Sequence, residues 1–218
     1  MLVNEIFSSI EGEGIRAGYP ATFIRLFGCN LSCSYCDSRY ACEGTDYKKI
    51  FIDDIVDEVV SIGNKRVTLT GGEPLLHKGV DNLIRELEYE GFEVNVETNG
   101  SIPINSFIHY DNSRGSTFFT VDYKSISSGE NNKMDLSIFE VLRSQDVLKF
   151  VVGSQEDLED MKRVLDTYRP ECHIFVSPIF GKIEPAEIVE FILSRGLQNC
   201  RMQLQIHKFI WDPEKRGV

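Results

Sequence analysis

The segment Gly28-Cys29-Asn30-Leu31-Ser32-Cys33-Ser34-Tyr35-Cys36-Asp37 places three cysteines in the spacing C-x3-C-x2-C. A loop this short can bring three thiolates onto one face of a cubane iron–sulfur cluster, each thiolate binding a different iron. The fourth iron then has no protein ligand, and an open metal position is where a substrate or cofactor binds. The spacing therefore favours an open four-iron cluster on Cys29, Cys33 and Cys36.

A structural zinc site is the alternative interpretation of the same cysteines. Structural zinc takes four protein ligands, and Cys42 could supply the fourth thiolate. With an open cluster, Cys42, Cys172 and Cys200 are instead expected to be ordinary apolar residues, the usual state of free cysteine. Both interpretations place the protein in a reducing cytoplasm, because clustered cysteines without a secretory signal bind metal more often than they form disulfides.

Composition sets broad limits on the class of protein. The 218 residues are 42% hydrophobic, and this length predicts one domain over residues 1–218, with a C-terminal tail from about residue 208. The formal net charge of −11 argues against a nucleic-acid partner. No apolar run approaches the ~20 residues that span a membrane, so no membrane partner is expected.

Strand patterns alternate with helical patterns along the chain. The helical periodicity predicts helices over Ile52–Ile62, Gly79–Glu90, Met134–Ser144, Gln155–Tyr168 and Pro185–Ser194. Apolar, β-branched runs predict strands over Ala21–Phe27, Arg66–Thr70, Glu93–Glu97, Thr117–Asp122, Val147–Val152, His173–Ser177 and Arg201–Ile206. This alternation indicates parallel βα units. Too few strands are present for an eight-stranded barrel, so the predicted fold is α/β, an open or partial parallel βα barrel.

Polar residues gather where the predicted strands end. Arg25 and the cysteines follow the first strand, Thr70 and Gly71-Gly72-Glu73-Pro74 the second, and Glu97-Thr98-Asn99-Gly100 the third. In parallel α/β folds, sites are built at the carboxyl edge of the strands. Six such strand ends predict a polar rim. Within it, Arg25 is either a ligand-binding cation or a surface ion-pair partner, because a charge inside an apolar strand is costly unless it is paired.

The cysteine loop after a first strand, followed by Gly71-Gly72-Glu73-Pro74 after the second, resembles the radical S-adenosylmethionine superfamily. The resemblance implies a [4Fe-4S] cluster whose open iron is chelated by S-adenosyl-L-methionine and whose reduction cleaves the sulfonium. It also implies that Gly72 meets the methionine group and that Tyr35, Cys36 and Asp37 border the adenine.

Three N-terminal segments resemble one family within this superfamily. They are residues 5–14 (EIFSSIEGEG), 18–20 (GYP) and 23–31 (FIRLFGCNL), and they look like the 7-carboxy-7-deazaguanine synthase family. Its members convert 6-carboxy-5,6,7,8-tetrahydropterin into 7-carboxy-7-deazaguanine with loss of ammonia, in queuosine and deazapurine biosynthesis. Its barrel is a reduced one, which agrees with the short chain.

The resemblance assigns further residues to this site. Contacts to the ribose or adenine of the cofactor are implied for Asp122, Tyr123, Lys124, Ser177, Pro178, Ile179 and Phe180. Substrate contacts are implied for Ile10, Glu11, Gly12, Arg25, Thr70 and His207, with Arg25 on the carboxylate, since a planar guanidinium can make two parallel hydrogen bonds. Mg²⁺ is implied at the Ser38 hydroxyl, because a hard cation that keeps several waters needs few protein ligands.

This chain departs from the commonest form of that family in two of these residues, with Glu11 in place of glutamine and Ser38 in place of threonine. Trp211–Val218 forms a tail, and the group in it that contacts substrate is left open. A flavodoxin- or ferredoxin-type electron donor is expected, and a homodimer is common in the family. The alternatives are a glycyl-radical activating enzyme and a non-catalytic iron–sulfur or zinc protein.

Overall fold

The computed structural model describes residues 1–108, 115–213 and 215–218. Within them, nine strands form one sheet: β1 (Leu2–Ile10), β2 (Pro20–Leu26), β3 (Lys48–Lys49), β4 (Arg66–Gly71), β5 (Glu93–Thr98), β6 (Ser116–Tyr123), β7 (Val147–Val152), β8 (His173–Pro178) and β9 (Cys200–Met202). The helices are α1 (Ile52–Ile62), α2 (Val80–Tyr89), α3 (Gln155–Tyr168), α4 (Pro185–Ser194) and the short α5 (His207–Ile210). None of the described helices is long and apolar enough to cross a membrane.

The strand order is β3-β1-β2-β4-β5-β6-β7-β8-β9. From β2 through β4 to β9 every neighbouring pair is parallel, whereas β1 runs antiparallel to both β2 and β3. The sheet curls without pairing its two edge strands, so the predicted partial barrel is confirmed. Because parallel strands point the same way, their carboxyl ends meet at one rim.

Each central strand has an apolar face and a polar face. On β4, Val67 and Leu69 belong to the hydrophobic core, whereas Thr68 and Thr70 alternate with them and are also buried. The same alternation recurs on β5, where Val94 and Val96 are core residues and Asn95 is a buried polar residue. Side chains in a strand point to opposite faces. The apolar faces therefore pack under the helices, and the polar faces line the inside of the barrel.

The helices cover the outer face through amphipathic stripes. In α3, Leu158, Met161, Val164 and Leu165 are buried at the i, i+3 and i+4 spacing of a helix face. The Ser154 side chain accepts a hydrogen bond from the Asp157 backbone N–H and caps the helix start. Each large aliphatic side chain buried in this way stabilises the fold by roughly 1.5–3 kcal/mol.

Two predicted elements differ from the structure. The predicted helix Met134–Ser144 is replaced by short 3-10 turns that include Leu136–Glu140, because the Asp135 carboxylate caps the Ser137 N–H and the Asp135 N–H donates to Gly100. The predicted strand Arg201–Ile206 ends at Met202. The Gln203 N–H still donates to Val176 of β8, but the Gln203 side chain and the Ile206 N–H bond the N-terminal loop at Gly14 and Gly12.

The N-terminal strand β1 was not among the predicted elements. It pairs along its length with β2, and the loop that follows it turns into the barrel. In that loop, Arg16 donates to the Glu93 carbonyl at 3.0 Å and lies 4.5 Å from the Phe118 ring. These partners lie near the amino ends of β5 and β6, so the loop fills the bottom of the barrel and leaves the upper half open.

Candidate active site

A cavity of about 280 Å³ opens at the carboxyl ends of the parallel strands. The structure brings most of the sequence-predicted residues to its wall: Ile10, Glu11, Gly12, Arg25, Cys29, Cys33, Tyr35, Cys36, Asp37, Ser38, Thr70, Gly72, Asp122, Lys124, Ile179, Phe180 and His207. These residues come from strands and loops far apart in the sequence, so the predicted polar rim forms a single site.

Three predicted cofactor contacts lie away from the cavity wall. Tyr123 is buried in the hydrophobic core, where its ring packs 5.2 Å from that of Phe150. Ser177 is fully buried and Pro178, the next residue on β8, is also buried. For Tyr123 the cause is strand alternation, since it faces the helices while its neighbour Asp122 faces the barrel interior. Ser177 does face inward, but its hydroxyl is covered by Glu13, to which it donates at 2.8 Å.

The three cysteines lie on the loop after β2, beside backbone and side-chain donors. The Leu31 N–H donates to Cys29 Sγ at 3.4 Å, and Asn99 Nδ2 lies 3.7 Å from the same sulfur. Hydrogen bonds from Cys42, followed by these donors, lower the pKa of Cys29 to about 6. A thiolate is the form that binds iron, so the surroundings of Cys29 favour the charged form, whereas burial raises the pKa of Cys33.

Cys42 differs from its sequence-based expectation as an ordinary apolar residue. It lines the cavity, its Sγ donates to the Ser38 carbonyl at 3.6 Å, and its thiol beside Cys36 lowers the pKa of Cys36 to about 6 as well. Among the described residues, no three His, Cys, Asp or Glu side chains are already gathered around one metal-ion position. Three thiolates that bind three different irons of a cubane do not need to converge on one point.

The turn after β4 passes close behind the cysteine loop. A Cβ added to Gly72 would lie 2.2 Å from the Gly28 carbonyl oxygen and 3.0 Å from Cys29 Cβ. Two backbone hydrogen bonds fix this approach, from Gly72 N–H to Leu26 at 3.0 Å and from Glu73 N–H to Gly28 at 2.8 Å. Glycine is required here by the space available, which is the physical reason for the Gly71-Gly72 pair.

Glu73 anchors the next strand end to this turn. Its carboxylate is fully buried and accepts from the Asn99 N–H at 2.7 Å and from Leu75 N–H and Thr98 Oγ1, each at 3.0 Å. Burial outweighs these hydrogen bonds and raises the pKa of Glu73 to about 7. The residue therefore ties the ends of β4 and β5 together and places Asn99 beside Cys29.

Arg25 lies on β2 with its side chain 17% exposed, between the rings of Phe7 and Tyr40. Its Nε donates to Glu5 Oε1 at 2.7 Å. Among the residues that the structure describes, this is the only hydrogen bond of the guanidinium. The two terminal nitrogens, which form the fork that binds carboxylates, have no such partner, and Arg25 lines the cavity.

Three side chains of β4 and β5 form a hydrogen-bonded wall with Glu11. Thr68 Oγ1 donates to the Glu11 carboxylate, and Thr70 Oγ1 donates to Glu97 Oε2 at 2.8 Å. Glu11 is 2% exposed, and burial followed by the charge of Glu97 raises its pKa to about 7. Near neutral pH this wall therefore offers both a hydrogen-bond donor and acceptors.

A chain of alternating charges crosses the cavity floor. Lys149 Nζ lies 3.1 Å from Glu13 Oε2 and 3.7 Å from Asp122 Oδ2, and Lys124 Nζ lies 3.0 Å from the same Asp122 oxygen. Within the described part of the chain, the other oxygen of Asp122 and the Tyr35 hydroxyl are buried without a hydrogen-bond partner. Buried polar groups are normally paired, so this side of the cavity has unused hydrogen-bonding capacity for a ligand.

The C-terminal segment returns to the cavity and completes its wall. The Ile206 N–H donates to the Gly12 carbonyl at 3.1 Å, and His207 packs against the hydrogen face of Gly12, where a Cβ would lie 1.9 Å from Nδ1. In the tail, Arg216 lies 3.7 Å from the Tyr40 ring centroid and 3.4 Å from Asp46. Val218 lines the cavity, so the tail closes over the site.

Several cavity residues were absent from the predicted site. The sequence analysis places Glu97 and Asn99 only at a polar strand end, and Glu13 only within the N-terminal segment 5–14. Lys149 was hidden inside the apolar run Val147–Val152. Its signal was the same one that singled out Arg25, a charge within an apolar strand, which is costly unless paired.

The comparisons with known proteins agree with this site. Residues 23–111 match the family model described as the Radical SAM superfamily. The chain is 41% identical to the 7-carboxy-7-deazaguanine synthase of Clostridium acetobutylicum, over 99% of this chain and 98% of that protein. It is also 41% identical to the enzyme of the same name from Methanospirillum hungatei, over 98% and 86% of the two chains.

A solved structure shows the same architecture. The crystal structure of QueE from Escherichia coli superposes with a TM-score of 0.74 at 25% sequence identity, covering 93% of this chain and 92% of that chain. The likeness therefore extends over nearly the whole length of both chains.

Proposed function

This chain belongs to the 7-carboxy-7-deazaguanine synthase family, whose members are radical S-adenosylmethionine enzymes, and we propose that its cavity converts 6-carboxy-5,6,7,8-tetrahydropterin into 7-carboxy-7-deazaguanine with loss of ammonia. One observation carries the proposal: the three cysteines and the open fork of Arg25 line the same cavity. A cluster-bound cofactor and a carboxylate-bearing substrate would thereby lie within reach of each other.

Cys29, Cys33 and Cys36 would hold the [4Fe-4S] cluster. The lowered pKa values of Cys29 and Cys36 fit thiolate ligands. When bound, the cluster and S-adenosyl-L-methionine supply the radical chemistry that amino-acid side chains lack. The protein contributes ligand positioning and exclusion of water, and Gly72 lets the turn after β4 pack directly against the Gly28–Cys29 segment.

The cofactor side of the cavity is the one with unused hydrogen-bonding capacity. Asp122 Oδ1 can accept from a ribose hydroxyl, and the Tyr35 hydroxyl can donate to or accept from a ligand. Ile179 and the half-exposed Phe180 offer apolar surface next to these groups. We assign this side to the nucleoside of S-adenosyl-L-methionine.

The substrate side lies between β1, β2 and the C-terminal segment. Arg25 would bind the carboxylate through its terminal nitrogens, because Glu5 holds only Nε. Glu11 and Glu97 would accept from the N–H groups of the pterin edge. Gly12 and His207 would pack beside the ring, with the tail as cover.

We further propose that Mg²⁺ binds at the Ser38 hydroxyl. Ser38 lines the cavity, and its Oγ lies 3.9 Å from Cys36 Sγ, so a cation there would lie between the cluster loop and the substrate. Mg²⁺ usually keeps several waters and takes few protein ligands, the rest coming from substrate oxygens. Its role would be to fix the substrate.

An electron donor of the flavodoxin or ferredoxin type would reach the cluster through the cysteine loop. Asn30, Ser32 and Ser34 of that loop are exposed, which supports docking at this face. Cytoplasmic location and a homodimer remain predictions. The glycyl-radical activating enzyme is not favoured, because the relatives that match this chain over nearly its whole length carry the synthase name.

Anaerobic turnover tests the proposed function. The iron-reconstituted, reduced protein is incubated with S-adenosyl-L-methionine, Mg²⁺ and 6-carboxytetrahydropterin, and 7-carboxy-7-deazaguanine is measured by chromatography. We expect product from the wild-type protein and none from Cys33→Ala. Release of 5′-deoxyadenosine without that product would contradict the substrate assignment, and no cleavage at all would contradict the radical enzyme.

A further inference from the structure

Lys149 is a buried cation to which no role has yet been given. It lies in the middle of β7, and its side chain is 11% exposed. The register of the sheet pairs it with Asp122 on β6 and Phe175 on β8, which places all three on the inner face. A buried ammonium is costly unless it is paired. Its position in an otherwise apolar strand therefore indicates that its charge has a role.

The ammonium bridges two carboxylates that line the cavity. It lies 3.1 Å from Glu13 and 3.7 Å from Asp122. Burial alone would lower the pKa of Lys149, but the charges of Glu13 and Asp122 outweigh burial and raise its pKa well above the usual range. Lys149 is therefore a permanent cation in the cavity floor.

The two carboxylates belong to opposite sides of the cavity. Glu13 directly follows Gly12 of the substrate side, and its other partners, Ser177 Oγ at 2.8 Å and Gln205 Nε2 at 3.1 Å, fix the N-terminal loop to the far edge of the barrel. Asp122 lies on the cofactor side, with one oxygen still unpartnered within the described residues. Lys149 is thus the direct contact between the two sides.

We propose that Lys149 is a positioning residue that couples the binding of S-adenosyl-L-methionine to the binding of substrate. A ribose hydroxyl of the cofactor that donates to Asp122 would partly neutralise that carboxylate. The Lys149 ammonium would then interact more strongly with Glu13. A better fixed Glu13 holds Gly12 in place for the substrate. This inference rests on the proposed function, since it assumes that both ligands occupy this cavity.

Equilibrium dialysis under anaerobic conditions tests the coupling without turnover. The dissociation constant of 6-carboxytetrahydropterin is measured on iron-reconstituted, unreduced protein, with and without saturating S-adenosyl-L-methionine. For the wild type we expect the cofactor to tighten substrate binding about fivefold or more, a typical size for coupling between sites. For Lys149→Met we expect nearly equal constants, and for Lys149→Arg, which keeps the charge, most of the coupling.

Matched variants separate coupling from folding. Lys162→Met removes a lysine from the surface of α3 and should keep the wild-type coupling, whereas Glu13→Gln should lose it. If Lys149→Met fails to take up iron, Glu13→Gln and Asp122→Asn carry the comparison, because both keep the lysine. Wild-type coupling in the Lys149→Met protein, or in both of these carboxylate variants, would overturn the inference.

The dialysis, together with the anaerobic turnover assay, distinguishes this inference from the proposed function. A wild type that binds both ligands and makes product, but shows no coupling, overturns the role of Lys149 and leaves the function intact. A wild type that binds S-adenosyl-L-methionine but not 6-carboxytetrahydropterin overturns the proposed substrate and the coupling with it.

Discussion

At the scale of single residues, the interior of this barrel is controlled by buried carboxyl groups. Glu11 is held in the cavity wall by Thr68 and lies within the field of Glu97, Arg16 and Arg66. Burial and Glu97 raise its pKa, and the two arginines and Thr68 oppose that effect without cancelling it. Glu11 therefore gains and loses its proton near neutral pH, well above the usual range of a carboxyl group.

Glu11→Gln should therefore be stabilising in a pH-dependent way. The pKa of Glu11 is about 7 in the folded protein against 4.5 for the free group, so the unfolded chain loses its proton first as the pH rises. Wild type thus loses stability between about pH 4.5 and 7, by up to about 3 kcal/mol. Gln keeps the acceptor for Thr68 and has no proton to lose.

Urea unfolding of wild type and Glu11→Gln at pH 5 and pH 8 measures this effect. We expect the advantage of the variant to grow with pH. Glu90→Gln, an exposed change at the end of α2, serves as the control and should show no such trend. If the free energies of unfolding of Glu11→Gln and wild type differed by the same amount at pH 5 and pH 8, a raised pKa of buried Glu11 would be contradicted.

Arg25 should govern substrate affinity. A charge-assisted pair of hydrogen bonds to a carboxylate is worth about 3 kcal/mol, so Arg25→Ala should lower kcat/KM for product by roughly 100-fold. Arg25→Lys keeps the charge but loses the planar fork, so its kcat/KM should lie between the values of the wild type and Arg25→Ala. Arg163→Ala on the surface of α3 is the control. The affinity for S-adenosyl-L-methionine should stay unchanged, and unchanged substrate affinity in Arg25→Ala would refute the assignment.

At the scale of elements, the sequence predicts the bounds of a helix or strand correctly where its local signals, such as periodicity and capping residues, indicate the same bounds. The bounds of α1, α3, α4 and β7 match their predictions. In α3 and α4 the side-chain stripes and the N-terminal caps at Ser154 and Glu184 indicate the same bounds. The segment Met134–Ser144 has a helical pattern too, but contacts of Asp135 outweigh it. Tertiary hydrogen bonds of this kind have no local signature.

The turn after β4 is the element that most directly supports the cysteine loop. In Gly72→Ala, the new Cβ would meet the Gly28 carbonyl at 2.2 Å, and backbone cannot yield as a flexible side chain can. We expect iron content after reconstitution to fall well below that of the wild type.

Gly196→Ala is the matched control for this substitution. Gly196 has a φ of +65° and no atom within 4 Å of an added Cβ, so the change costs about 1 kcal/mol of backbone strain without a clash. It should lower stability and leave iron uptake intact. Equal iron uptake in the Gly72→Ala and Gly196→Ala proteins would contradict the role of the close approach.

At the scale of the whole molecule, the cavity differs in charge from the rest of the protein. The chain carries a net charge of −11, yet cations stand in near balance with carboxylates at the cavity wall: Arg25, Arg39, Lys124, Lys149, Lys208, Lys215 and Arg216 beside Glu11, Glu13, Asp37, Glu43, Glu97 and Asp122. A site for ligands that carry carboxylates needs such local compensation in an acidic protein.

Part of the site could not be predicted from the sequence, because its residues are far apart in the chain. Cys29, Cys33 and Cys36 share one short loop, so their spacing predicts a common ligand. Glu13 and Lys149 are 136 positions apart and meet only because the N-terminal loop turns into the barrel. The return of Val218 to the cavity likewise depends on the whole fold.

We propose that three cysteines hold an iron–sulfur cluster whose open side faces a cavity shared by cofactor and substrate. A crystal structure of the reconstituted protein with S-adenosyl-L-methionine and 6-carboxytetrahydropterin, with anomalous data at the iron edge, tests it most directly. We predict iron bound by Cys29, Cys33 and Cys36, an unbound Cys42, and the substrate carboxylate on Arg25. A single metal ion bound by four thiolates, Cys42 included, would contradict the proposed cluster.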